Sequence, residues 1–135
     1  MKRCILDVDG TLWDLHRPLY NRLTLNFDLP SYEDSLTGWN WYEPYMSKEQ
    51  FYAAVDATHA AQWEYPPLPG APELFSALDK MGLEVIVASH RQPQTAAALS
   101  WWLAENKLYP YSGVLTSHDK LFLIRPGDIV IDDAP

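Results

Sequence analysis

Two carboxylates stand two residues apart near the start of the chain, Asp7 and Asp9, followed at once by Gly10 in the stretch MKRCILDVDGTLWD. A second pair, Asp132 and Asp133, closes DIVIDD near the other end. Acids at the tip of an apolar run repel one another unless something positive sits between them. Acids from two such tips can share a hard divalent cation, and Mg²⁺ suits, since it takes one or two carboxylates together with substrate phosphate and water. Between the pairs come Ser89, His90 and Arg91, and then Lys120, each just past another short apolar run.

These residues need a frame that gathers them. RCILDV at 3–8, LEVIVAS at 83–89, SGVLTS at 112–117 and DIVIDD at 128–133 are short apolar runs that read as strands. PELFSALDKMG reads as a helix with Leu74, Leu78 and Met81 inward and Gly82 ending it. Residues 94–107 read as a second helix around Leu99, Trp102 and Leu103. Strands alternating with helices imply βαβ units, a doubly wound parallel sheet and an α/β, Rossmann-like fold. Such sheets bind ligands beyond the carboxyl ends of their strands, the rim to which all the polar groups above are delivered.

Residues 14–66 differ in character. They are rich in Trp and Tyr, and Ser47 with Gln50 forms a capping-box start to a helix carrying Tyr52, Val55, His59 and Trp63 on one face. YPPLPG at 65–70 stops that helix. The domain reading is therefore a core of 1–13 and 67–135 with a small helical insertion at 14–66.

The net charge of −8 argues against a nucleic acid polymer as partner. An anionic ligand would need a metal or a local cluster of donors to overcome that field. Cys4 is the single cysteine, which excludes a disulfide framework or a cysteine zinc site and reads as an inert buried residue. No run approaches a membrane span, and no signal peptide is visible because Asp7 interrupts the only early apolar stretch. The expected setting is cytoplasmic. Asp7-Val8-Asp9-Gly10 resembles a calcium loop only superficially, since the glycine is misplaced and Pro18 stands where the final Glu would fall.

DVDGT, then a strand ending in Ser89, then Lys120, then IDD resembles the four ordered motifs of the haloacid dehalogenase-like phosphohydrolases. From Tyr32 onward, YEDSLTGWNWYEPY, PPLPGAPEL and LTSHDK…GDIVIDDAP are similar to the 5′(3′)-deoxyribonucleotidases. The resemblance implies a Rossmann-like core with an inserted cap and a Mg²⁺-dependent phosphomonoesterase. It implies Asp7 as nucleophile forming an aspartyl-phosphate, and Asp9 as general acid and base. It also implies Ser89 and Lys120 as phosphate ligands, and Mg²⁺ on Asp7, the Asp9 carbonyl and Asp133 with Asp132 in support. Family nucleotidases often place Pro after the motif hydroxyl, whereas here His90 and Arg91 follow, and Arg91 is a candidate further phosphate contact.

The substrate expected is a small phosphorylated molecule, foremost a deoxyribonucleoside monophosphate, with Trp39, Trp41 and Tyr42 as a candidate base-stacking wall, although such aromatic residues are more often core or cap packing. The alternatives are a phosphatase for sugar phosphates or other small metabolites, and a non-catalytic phosphate or nucleotide binder. The family continues past the fourth motif with another strand, so a missing C-terminal edge strand and self-association through the exposed strand at 128–132 are further expectations.

Overall fold

A computed structural model of the chain describes residues 2–119 and 121–133. The elements run β1 (Arg3–Leu6), α1 (His16–Leu23), α2 (Lys48–Ala60), α3 (Ala71–Lys80), β2 (Glu84–His90), α4 (Ala96–Glu105), β3 (Gly113–Ser117) and β4 (Ile129–Ile131). They fall into two compact units, Met1–Asp14 with Gln62–Pro135, and Leu15–Ala61.

The first unit is built on a four-stranded sheet in the order β3-β2-β1-β4. All three pairings are parallel, with Cys4 opposite Val85 and Ile129, and Val87 opposite Val114. The fold is α/β and Rossmann-like, with β1 central and β4 at one edge. Cys4, Ile5, Leu6, Val85, Val87 and Ala88 are buried, as strands covered on both faces require. Burial pushes the Cys4 thiol pKa up, the behaviour of an inert core residue. Phe75 and Leu78 of α3, and Leu99, Trp102 and Leu103 of α4, complete this core.

Two details depart from the sequence reading. β1 ends at Leu6 and not at Val8, because the Val8 carbonyl already accepts turn hydrogen bonds from the Thr11 and Leu12 amides. α3 buries Ala71, Phe75 and Leu78, and Met81 is exposed, because the chain leaves the helix there. Gly82 follows with φ +72°, the left-handed conformation that lets the chain turn into β2.

The second unit packs α1 against α2 around Leu19, Leu23, Tyr42, Met46 and Phe51. α2 opens with the expected capping box, in which the Ser47 hydroxyl accepts from the Gln50 amide and the Gln50 side chain accepts from the Ser47 amide. Its inward face is Phe51, Thr58 and His59; Tyr52 is half-exposed, and Trp63 lies beyond the helix and is exposed. The return boundary falls at Gln62, earlier than Pro66, because this stretch bonds to the first unit. The Gln62 side chain accepts from Arg91, and the Tyr65 carbonyl accepts from the Trp102 indole.

Candidate active site at the ends of β1 and β4

Register decides which acids meet. Leu6 pairs with Ile131, and the Asp7 amide still donates to the Ile131 carbonyl at 2.9 Å, so the two strands release their acids side by side. Asp7, Asp132 and Asp133 each bring a carboxylate oxygen to within 4.8 Å of the others. Asp7 is buried, and the Thr11 hydroxyl donates to its Oδ2 at 3.3 Å.

Gly10 makes the cluster geometrically feasible. Its φ is +79°, and a Cβ there would run into Asp133 Oδ2 and stand 2.7 Å from Asp133 Cγ. The acid packs directly over bare backbone, a close approach that only glycine permits. Crowding also shows in the proton affinity of Asp133. Its pKa is pushed up to about 7, first by desolvation, then by hydrogen bonding to Asp7 and Asp132 and by their negative charge. A set of oxygen donors crowded in this way fits a hard divalent cation.

Asp9 faces different company. Its Oδ1 accepts from the Trp13 indole at 2.8 Å and from an Arg91 guanidinium nitrogen at 2.8 Å. Trp13 is able to reach because the chain folds back on itself, with the Gly10 amide donating to the Trp13 carbonyl at 2.9 Å. Two carboxylates two residues apart thus sit in separate environments, one crowded by acids and the other paired with a cation. That separation is how one site assigns different chemical tasks to like groups.

The remaining expectations divide. Ser89 is fully buried at the end of β2, and its Oγ accepts from Arg91 Nε at 2.7 Å. Arg91, expected as a phosphate contact, is 3% exposed and directs its guanidinium at Ser89, Asp9 and Gln62. A buried guanidinium is costly unless it is hydrogen-bonded, and each of its three nitrogens donates to one of these acceptors. Burial lowers its pKa while Asp9, then Asp7, raises it. His90 is exposed, with its ring 6.2 Å from that of His118. Lys120 lies outside the described residues.

The expected aromatic wall belongs to the second unit. Tyr42 is buried and stacked on Phe51 with ring centroids 3.9 Å apart, so it is a packing residue there; a ring face so covered cannot also carry a base. Trp41 meets Phe51, His16 and Tyr20 edge-on or tilted. Trp39 is 64% exposed. Residues that sequence reasoning left without a role are Thr11, Trp13 and Gln62. Thr11 and Trp13 adjoin the acids in DVDGTLW and were open to suspicion on that ground, whereas nothing local marks Gln62.

A scan against protein-family models finds no match, and a search of curated proteins finds none. Among solved structures the chain is similar to a predicted phosphoglycolate phosphatase from Haemophilus somnus 129pt, at 17% identity over 93% of this chain and 66% of that one, with a TM-score of 0.53. It is similar also to CbbY from Rhodobacter sphaeroides in complex with xylulose-(1,5)bisphosphate, at 19% identity, 90% and 66% coverage and a TM-score of 0.52. A HAD family hydrolase from Deinococcus radiodurans with bound phosphate and sodium matches at 14% identity, 84% and 57% coverage and a TM-score of 0.51. The chain spans about two thirds or less of the length of these structures. No helix among the described residues is long and apolar enough to cross a membrane. With its acids gathered at the carboxyl ends of a parallel sheet, the chain has the fold of the haloacid dehalogenase-like hydrolases.

Proposed function

We propose that the protein is a Mg²⁺-dependent phosphomonoesterase of the haloacid dehalogenase-like superfamily, acting on small phosphorylated substrates in the cytoplasm. The observation that carries this reading is the split between Asp7, grouped with Asp132 and Asp133, and Asp9, paired with Arg91 and Trp13. Asp7 attacks phosphorus and forms an aspartyl-phosphate. Asp9 protonates the leaving oxygen and then takes a proton from the hydrolytic water. Asp7, Asp133 and the Asp9 carbonyl, supported by Asp132, would hold Mg²⁺, which supplies positive charge against the phosphate oxygens. Ser89 and Lys120 complete the phosphate site in this reading, and His90 borders it.

Within that class we favour deoxyribonucleoside monophosphates, on the likeness of the motif segments to 5′(3′)-deoxyribonucleotidases. Exposed Trp39, with Trp41 beside it, is the candidate base contact. Sugar phosphates are the second reading, favoured by the xylulose bisphosphate bound to CbbY. β4 at the sheet edge, with Val130 exposed, is the surface through which we expect self-association.

Phosphate release is measured over a panel of nucleotides, sugar phosphates and para-nitrophenyl phosphate, with and without Mg²⁺. Turnover that needs Mg²⁺ and prefers nucleotides supports the reading. No turnover on any ester leaves a non-catalytic binder. Trp39→Ala separates recognition from chemistry, because stacking worth about 1–3 kcal/mol per base would be lost on thymidine monophosphate and not on the base-free ester.

A further inference from the structure

Arg91 follows the strand-end hydroxyl by two residues, and its side chain turns back into the protein. Nε donates to Ser89 Oγ at 2.7 Å, one terminal nitrogen donates to Gln62 Oε1 at 2.8 Å, and the other donates to Asp9 Oδ1 at 2.8 Å. The planar fork therefore ties three separate stretches of chain: the turn after β1, the end of β2 and the short helical turn at Gln62–Glu64. The side chains of Arg91 and Asp9 are 2% and 18% exposed, so water competes little for the pair.

Asp9 Oδ1 takes a second donor, the indole of Trp13 at 2.8 Å. Trp13 is itself fully buried and braced by the rings of Tyr65 and Trp102, with centroids 5.9 and 6.4 Å away. One oxygen of Asp9 is thus held from two directions by two rigid, buried donors.

We infer that Arg91 is a positioning residue for Asp9: with Trp13 it clamps Oδ1 and so fixes the orientation of the carboxyl group that serves as acid and base. It acts through the acid and not on the phosphate. The acid–base role of Asp9 rests on the phosphatase reading above, whereas the clamp itself does not. Gln62 and Ser89 serve as the anchors that keep the guanidinium from swinging away. Lysine cannot substitute, since a single ammonium lacks the fork needed to span three acceptors.

Two measurements on Arg91→Met and Arg91→Lys test this. The first needs no activity. The indole N–H resonance of Trp13, assigned by its loss in Trp13→Phe, reports the bond to Asp9. It should shift in both Arg91 variants and in Asp9→Asn, while the indoles of the exposed Trp39, Trp63 and Trp101 stay in place. An unmoved Trp13 resonance in a folded Arg91 variant overturns the clamp, whatever the enzyme does. Arg91→Lys retains a buried cation and keeps the test available if Arg91→Met does not fold.

The second measurement compares kcat/KM on an alkyl phosphate, whose leaving group needs a proton, with kcat/KM on para-nitrophenyl phosphate, whose leaving group does not. A loss of about 10- to 100-fold on the alkyl ester against less than about threefold on the aryl ester is expected from impaired general acid catalysis. The inhibition constant of inorganic phosphate should be unchanged. Equal losses on both esters with weaker phosphate inhibition would make Arg91 a substrate ligand and overturn the inference. A wild-type protein inactive on every ester removes the phosphatase reading, and the Trp13 signal still decides whether Arg91 holds Asp9.

Discussion

The rim of β1 and β4 and the aromatic interior of the helical unit are both dense clusters, but they are held by different physics. At the rim, the contacts on Asp7 and Asp9 are polar and directional, from Thr11 on Asp7 and from Trp13 and Arg91 on Asp9, and Asp133 packs over the bare backbone of Gly10. In the helical unit, Tyr42 stacks on Phe51 at 3.9 Å and 8°, with Trp41 and Tyr52 edge-on to the same ring. The rim gathers three acids whose oxygens lie within 4.8 Å of one another, close enough that the charge of Asp7 and Asp132 helps raise the Asp133 pKa. The helical unit leaves its rings satisfied by one another. A site that stores repulsion is suited to chemistry, and one that spends its contacts on itself is suited to support.

Substitution should affect the two regions differently, and the largest effect is expected at the rim. Asp7→Asn, assayed by phosphate release, should lower turnover by at least about a thousandfold, because the amide is not a nucleophile. Its melting temperature should not fall, since one of three repelling charges is gone. Retained turnover in purified Asp7→Asn would end the covalent mechanism.

Next in size is Phe51→Ala in the helical unit. Truncating a buried Phe costs about 3–5 kcal/mol, read from urea unfolding. The loss should show in stability, with per-molecule activity of the folded fraction much less changed than in Asp7→Asn. A variant as stable as the parent would show that the stack with Tyr42 holds nothing together.

Gly10→Ala sharpens the comparison at the point where backbone and acid touch. The left-handed φ alone costs about 1–2 kcal/mol for a residue with a side chain. Calorimetric titration with Mg²⁺ should also show weaker binding, as Asp133 is driven from its place over the turn. Unchanged Mg²⁺ affinity would remove Asp133 from the proposed metal site.

The smallest effect concerns the ion pair that fastens β4 to β1 away from the rim. Arg3 bonds Asp128 at 2.7 Å and also donates to the Leu123 carbonyl. The hydrogen bond from Arg3, followed by that of the Arg125 amide, holds the Asp128 carboxyl below the ordinary Asp range. A carboxylate with a depressed folded pKa stabilises fully above its unfolded value, and loses that contribution as pH falls through the folded one. Thermal melts on the acid side of neutrality should therefore show a shallower pH dependence in Asp128→Asn than in the parent. Identical acid profiles would assign the pair no part in stability.

Much of this molecule was legible from residue types and local spacing. Apolar runs separated by helical periods imply the parallel sheet, since a strand buried on both faces has few other sequences open to it. Asp7, Asp9, Asp132 and Asp133 are recognisable as acids at strand tips, and Ser47 with Gln50 as a helix start, because each signal lies within a few residues of chain. The tertiary structure alone decided who meets whom. The Leu6–Ile131 register sets Asp7 among Asp132 and Asp133, and the turn at Gly10 brings Asp133 down onto the backbone. The packing of Phe51 draws Tyr42 into a core, where residue type favoured packing and still left a binding wall open. Arg91 shows the reason most directly. Any arginine beside a phosphate motif invites the phosphate reading, and only the positions of Gln62, Ser89 and Asp9, separated by up to 82 residues of chain, turn its fork inward.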